Sequence, residues 1–299
     1  MNPQSVTVHP VDRLRATVPL AAGVVEQSAQ APPGTGVLHF ARSGSRTVVR
    51  RAFATSPLKL LNPRATDDID VAWVYTATLG GGLLGGDAIH LNIDVATGAR
   101  ALLATQASTK IYRSTRPTSQ HLSASIADGA LLGIVPDPIV CFAGSSFQQE
   151  QRYELSRGAS LVLVDWMSAG RYATGERWAF DRYASRLELR REGRRIVYDG
   201  LRLSRETDAG LERMGRFNVW LSAILMGPLV SSYAEKIVAR VSSQSVAHRS
   251  SLIVSAAPLG VDGALLRVAG VSVEQVGAVL ERLGFLRALF GGDPLTRQW

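Results

Sequence analysis

The sequence is poor in cysteine and lysine. Cys141 is its single cysteine, and Lys59, Lys110 and Lys236 are the only lysines among 33 basic residues in a chain of 299. One cysteine excludes an internal disulfide framework and is typical of proteins in reducing compartments. No apolar run reaches the roughly 18 residues that a membrane-spanning helix needs. We therefore expect a cytoplasmic protein that does not enter a membrane.

The charge is also not concentrated. The net charge of +8 favours an acidic partner or nucleic acid through long-range attraction. However, the sequence has no run of five like charges, and arginines are interspersed with acidic residues over 186–192. Nucleic-acid modules usually concentrate basic residues in a stripe with stacking aromatic residues. This pattern argues against nucleic acid as the partner.

Common catalytic and metal motifs are missing. The glycine-rich stretch 80–86 ends in Asp87, whereas a phosphate-binding loop continues with Lys-Ser or Lys-Thr. No Gly-x-Ser-x-Gly pentapeptide occurs. The five histidines show no His-x-His spacing, which argues against a closed structural zinc site. These absences exclude a nucleotide loop, a serine-hydrolase elbow and a zinc finger.

Two features stay open at this point. Cys141 is either a thiol nucleophile without a recognisable histidine or, more commonly, a small buried hydrophobic residue. His90 forms a weak metal site with Asp94 or with Asp87, or it belongs to a solvated polar strand face, which is the favoured interpretation.

Short apolar runs, separated by Gly, Pro, Asp and Asn, predict a mainly β protein. We expect stacked antiparallel sheets of many short strands, with two or three helices near the C-terminus. Residues 1–35 are rich in Pro, Gln, Ala and Gly, so we expect a flexible N-terminal arm followed by a single domain over 36–299. Strands are predicted at 37–42, 46–53, 69–78, 88–96, 100–112, 120–127, 130–135, 147–155, 159–166, 184–191, 194–203, 252–257 and 264–268.

Helical periodicity is found late in the chain. Apolar residues recur every three to four positions over 211–226 and predict a helix that ends at Gly227 and Pro228. A second helix is predicted over 232–242, although this sequence also fits a strand. A third is predicted over 273–290, before the glycine pair at 291–292.

The stretch 75–114 has the most unusual pattern. Five glycines surround Leu83 and Leu84, and such clusters mark positive φ angles or the close approach of another segment. The polar run 105–110 then interrupts an otherwise apolar strand region. Because buried polar groups need partners, this run predicts either a satisfied hydrogen-bond network or a lined passage.

Four acidic residues adjoin apolar segments: Asp87, Asp137, Asp165 and Glu176. Each is either a buried, hydrogen-bonded carboxylate with a shifted pKa or a turn residue or ion-pair partner. The flanking prolines favour a turn for Asp137. The other three stay open.

Six blocks of sequence together carry a family resemblance. They are TLGGGLLGGD (78–87), ATQASTKIYRS (104–114), PDPIVCFAGSSFQQ (136–149), GASLVLVDWMSAGRYATGERWAF (158–180), FNVWLSAILMGP (217–228) and PLTRQW (294–299). In this order they resemble the urease accessory protein family UreD, called UreH in some organisms. The resemblance covers the chain from about residue 36 to residue 299.

The resemblance implies a urease maturation factor that is not an enzyme and has a mainly β fold. It implies binding to UreF, which recruits the GTPase UreG, and action of this assembly on apo-urease; we also expect a dimer of the assembly. No cofactor is expected to bind tightly. Nickel is expected to pass through an internal, water-filled conduit, because weak oxygen ligands release a cation quickly. The matching positions are Asp87, Asp165 and Glu176 for nickel, and Gln106, Ser108 and Thr109 for the conduit lining.

A second hypothesis is a basic, β-rich module that binds nucleic acid or an acidic protein surface. Salt distinguishes the two hypotheses, since nucleic-acid binding falls steeply with ionic strength whereas apolar docking of UreF does not. The predicted helices at 211–226 and 273–290 are either partner surfaces or parts of the core.

Overall fold

The structure is a computed structural model that describes residues 31–62, 70–206, 212, 214–245 and 249–295. Most of the predicted N-terminal arm lies outside the described residues. The described residues from Pro32 onward form one compact unit.

Strands dominate the described part of the chain, and the helices follow near its end. The strands are β1 (Thr35–Ser43), β2 (Arg46–Ala54), β3 (Leu58–Leu61), β4 (Ala72–Thr78), β5 (Ala88–Val95), β6 (Arg100–Thr105), β7 (Lys110–Ile111), β8 (Thr118–Ile126), β9 (Leu131–Val135), β10 (Ile139–Cys141), β11 (Ser146–Leu155), β12 (Ser160–Ser168), β13 (Arg182–Arg191), β14 (Arg194–Ser204), β15 (Val219–Met226), β16 (Leu252–Pro258) and β17 (Gly263–Gly270). The helices are α1 (Ser231–Ser242), α2 (Val273–Leu283) and α3 (Phe285–Phe290).

These strands form two sheets. Sheet 1 has the order β14-β13-β11-β8-β5-β1-β2. Sheet 2 has the order β16-β17-β15-β12-β9-β6-β4-β3, and the short strands β10 and β7 extend it beside β12. The prediction of a mainly β protein with many strands in sheets and helices near the C-terminus is confirmed.

The direction of pairing differs from the prediction. Antiparallel sheets were expected, but β1, β5, β8, β11 and β13 pair in parallel, as do β4, β6, β9 and β12. The reason is the path of the chain, whose longer strands alternate between the sheets from β4 to β13; the short strands β7 and β10 stay in sheet 2. Each longer strand of one sheet is thus followed by a returning longer strand of the other, so neighbours within a sheet run the same way. The Gly, Pro, Asp and Asn residues of the sequence predict where the chain turns, but they do not predict which sheet the next strand joins.

The two sheets differ in how completely their strands are buried. In β5, buried and accessible residues alternate, so one face of sheet 1 packs inward and the other faces solvent. In β9, all five residues are buried, because sheet 2 lies between sheet 1 and the helices. Val162, Leu221 and Leu266 on its outer face join a core with residues of α1, α2 and α3. The space between the sheets holds the other core.

The predicted helix over 211–226 is wrong from residue 215 onward, since 215–218 is turn and irregular chain and Val219–Met226 is strand β15. This strand lies between β12 and β17 and is buried on both faces, so its apolar run fits a helical period as well as a strand. Helix α1 matches the prediction for 232–242. The third predicted helix is divided at Gly284, which has φ 71° and ends α2.

Candidate functional site

A cavity of about 140 Å³ lies between the two sheets. Strands β5, β8 and β11 contribute inward-facing residues from sheet 1, and β4, β6, β9 and β12 line the opposite side. The loop over 105–109 completes the wall. Gln106 and Ala107 in this loop are exposed, so this part of the cavity wall is in contact with solvent.

Asp165 on β12 is one of two acidic residues that line this cavity. Its Oδ1 accepts a hydrogen bond from Gln149 Nε2 at 3.0 Å, and its Oδ2 accepts one from Ser185 Oγ at 3.1 Å. Burial raises the pKa of Asp165 above its ordinary value; the two hydrogen bonds oppose this rise, and the negative charge of Asp199 adds to it. The cavity therefore contains a carboxyl group whose charged form is poorly solvated.

The predicted lining residues meet at this place. Gln106, Ser108 and Thr109 all line the cavity together with Asp165. Asp137, interpreted from sequence as a turn residue, lines it too, and its Oδ2 accepts a hydrogen bond from Thr105 Oγ1 at 2.7 Å. The polar run therefore borders the cavity between the two sheets.

Asp87 lies elsewhere, in the turn that closes the glycine-rich stretch. Its Oδ2 accepts a hydrogen bond from the Leu84 N–H at 2.8 Å, and its own N–H donates to the Leu84 carbonyl at 3.0 Å. Both expectations for the glycines hold here. Gly80 has φ 79°, and a Cβ on Gly85 would stand 1.4 Å from Ser114 Oγ. Asp87 is not among the residues that line the cavity.

Glu176 also lies outside the cavity lining. Its Oε1 accepts a hydrogen bond from the Ala143 N–H at 2.8 Å, and its Oε2 accepts one from Arg171 Nε at 2.9 Å. The hydrogen bond from Arg171 is the main cause that lowers the pKa of Glu176. This carboxylate thus connects two loops.

Two glutamines of the site were not among the residues predicted from the sequence. Gln149 and Gln151 are buried and line the cavity. The available signal was the alternation along β11, whose buried face reads Phe147, Gln149, Gln151, Tyr153 and Leu155. Two amides on an otherwise apolar strand face mark a polar interior.

The structure places Cys141 and His90, the two residues for which the sequence left alternatives open. Cys141 is buried, and burial raises the pKa of its thiol to about 12, so the thiol is protonated at neutral pH and is a poor nucleophile. His90 stacks on His121 on the outer face of sheet 1, with ring centroids 4.7 Å apart. In the described residues, no three or more His, Cys, Asp or Glu side chains are grouped as a metal site would require.

Membrane insertion through helices finds no support in the described part of the chain. None of its helices has the length and apolar character needed to cross a bilayer.

Comparison with known proteins agrees with the resemblance seen in the sequence. The family model described as UreD urease accessory protein matches residues 33–299. The chain is 48% identical to "Urease accessory protein UreD" of Sorangium cellulosum, over 89% of this chain and 84% of that protein. It is 44% identical to the protein of the same name from Anaeromyxobacter sp., over 88% and 89%. It is 30% identical to "Urease accessory protein D" of Oryza sativa subsp. japonica, over 92% and 98%. This chain belongs to the UreD family of urease accessory proteins.

Proposed function

We propose that this protein is a cytoplasmic, non-catalytic scaffold that transfers nickel during urease maturation. It binds apo-urease and UreF, and through UreF the GTPase UreG, in an assembly that can dimerise. Family membership supports the role in urease maturation, since the relatives at 44–48% identity are named urease accessory proteins.

The observation that supports a nickel route is the cavity around Asp165. Hydroxyl, amide and carboxyl groups form part of its otherwise apolar lining, and none of its lining residues is histidine or cysteine. Such ligands hold a borderline divalent cation weakly and release it quickly, whereas a closed cage of nitrogen and sulfur ligands would retain it. Nickel is therefore a substrate in transit here. Gln106, Ser108 and Thr109 border its entrance.

Asp87 and Glu176 have a different place in this proposal. Each accepts hydrogen bonds that hold a loop together. Neither is needed as a ligand on a route through the cavity, so they serve as matched carboxylate controls.

The test is urease activation in cells that carry a urease operon with this gene replaced by Asp165→Asn, Asp87→Asn or Glu176→Gln. Pull-down first establishes that UreF and urease still bind each variant. We expect Asp165→Asn to lower urease activity and urease nickel content by roughly tenfold, as loss of a metal-positioning group commonly does. The two controls are expected to stay near the wild type.

Full activity with Asp165→Asn would contradict the internal route but not the scaffold. Full activity after deletion of the gene would contradict the role in maturation itself. If binding to UreF and urease fell steeply with salt, the alternative of a basic module for an acidic surface would gain support instead.

A further inference from the structure

A second, smaller cavity of about 30 Å³ adjoins the first one. Asp165 and Trp166 line both cavities. The second cavity extends between β12 and β15 of sheet 2 and β13 and β14 of sheet 1. It thus leads from Asp165 towards the edge of sheet 1 that is formed by β14.

The carboxylate of Asp165 stands where the two cavities meet. Gln149, the partner of Oδ1, lines the first cavity, whereas Ser185, the partner of Oδ2, lines the second. Gln149 Nε2 and Ser185 Oγ are themselves 3.4 Å apart. A cation that passes from one cavity to the other therefore meets this carboxylate.

Strand register extends the polar path beyond Asp165. On sheet 2, Asp165 pairs with Ser222, and Ser222 pairs with Arg267. The hydroxyl of Ser222 lines the second cavity and is buried without a protein hydrogen-bond partner among the described residues. A buried hydroxyl of this kind offers a free oxygen ligand. The row continues to Ser255 on β16, which is exposed.

Arg267 in this row forms an ion pair with Asp199 of the other sheet. Arg267 NH2 lies 3.1 Å from Oδ1 of Asp199 on β14, which also accepts a hydrogen bond from the Gly200 N–H at 3.0 Å. The side chains of Arg267 and Asp199 are 42% and 35% exposed. Asp199 lines the second cavity, so the pair stands between that cavity and solvent.

We propose that the Arg267–Asp199 ion pair is the exit of the nickel route, where Asp199 is the last ligand and Arg267 the counter-charge that the cation displaces. This inference rests on the proposed transfer of nickel through the cavity at Asp165. A guanidinium stays protonated at any physiological pH, so Arg267 repels an arriving cation unless Asp199 neutralises it. Conversely, the cation competes with Arg267 for the same carboxylate.

The two charges therefore have opposite effects, which makes the proposal testable by a double-mutant cycle. The variants are Asp199→Asn, Arg267→Met and the combination of both, expressed from the urease operon at limiting nickel. Asp199→Asn leaves an uncompensated positive charge at the exit and is expected to lower urease nickel content by about tenfold. Arg267→Met is expected to maintain or raise it. The double variant is expected to recover to the level of Arg267→Met.

A neighbouring ion pair supplies the matched control. Arg191 NH2 lies 3.0 Å from Asp262 Oδ2 and also joins β13 of sheet 1 to the segment before β17 of sheet 2. Neither residue lines the first or the second cavity. Asp262→Asn and Arg191→Met are expected to change the melting temperature of the protein. They are not expected to change urease nickel content in opposite directions, as Asp199→Asn and Arg267→Met are. Arg267→Lys, which keeps the charge, is expected to behave as the wild type.

Other patterns would overturn the inference. Equal losses in Asp199→Asn and Arg267→Met without recovery in the double variant would show a structural brace. Unchanged nickel content in every exit variant, together with a loss in Asp165→Asn, would show that nickel leaves elsewhere. Unchanged nickel content in Asp165→Asn as well would mean that the proposed internal route has failed, and not only its exit. Pull-down with UreF and urease confirms beforehand that each variant is folded.

Discussion

Gln149 Nε2 donates a hydrogen bond to Asp165 Oδ1 at 3.0 Å and thereby joins β11 of one sheet to β12 of the other. The two residues are 16 positions apart, and the chain reverses once between them. The amide is 3% exposed. This contact places a carboxylate inside the space that the rest of the chain fills with apolar side chains. Burying a carboxylate costs free energy, and the hydrogen bonds from Gln149 and Ser185 offset part of that cost.

The first prediction concerns the effect of Asp165 on stability. Since the pKa of Asp165 is raised in the folded state, the unfolded chain loses this proton at a lower pH than the folded one. The free energy of unfolding therefore falls as pH rises from the ordinary aspartate pKa through the raised value. We expect Asp165→Asn to gain stability relative to the wild type over this range. Urea unfolding of the protein and of the Asp165→Asn variant at several pH values measures the difference, and a difference independent of pH would contradict this prediction.

Glu176 is predicted to show the opposite dependence. Its pKa is lowered, first by the hydrogen bond from Arg171 and also by the one from the Ala143 N–H. The ionised Glu176 carboxylate therefore stabilises the folded state above the ordinary glutamate pKa. This stabilisation is lost as pH falls through the lowered pKa of Glu176. We therefore expect Glu176→Gln to lower the melting temperature at neutral pH, with a gap from the wild type that narrows in acid. A gap that widened in acid would exclude this role.

The glycine-rich stretch offers a packing test. A Cβ on Gly85 would stand 1.4 Å from Ser114 Oγ and 3.0 Å from the Arg116 carbonyl oxygen, so a segment must shift. We expect Gly85→Ala to lower the free energy of unfolding by about 2 kcal/mol. Gly277→Ala in α2 is the control. The nearest atom to its Cβ would be in the side chain of Trp166, at 3.9 Å, and alanine is more favourable than glycine within a helix by about 0.5 kcal/mol or more. Chemical denaturation compares the two variants, and equal losses would refute the steric explanation.

Cys141 is predicted to resist thiol reagents in the folded protein. With a pKa of about 12, only about one thiol in ten thousand is ionised at pH 8. We expect Ellman's reagent to label Cys141 slowly in the native protein and rapidly after unfolding. Fast labelling of the native protein would show that this part of β10 opens readily.

How much of the fold the sequence predicted varies from element to element. Alternation along Ala88–Val95 and Ser146–Leu155 predicted strands correctly, because one face of sheet 1 is solvated and the period of two survives. Val219–Met226 was predicted as a helix, because a strand buried on both faces has no polar side to show that period. Burial on both sides comes from neighbours distant in sequence.

The same distinction applies to the site. Composition, local periodicity and the six sequence blocks determined a mainly β chain, its family and the polar run that borders the cavity. Only the tertiary structure decided that Gln149 and Ser185 meet Asp165, that Arg267 reaches Asp199, and which backbone and side-chain groups Asp87 and Glu176 bind. The physical reason is that strand order and pairing direction arise from long-range packing between two sheets. Local sequence specifies where the chain turns, but not which strand it returns to.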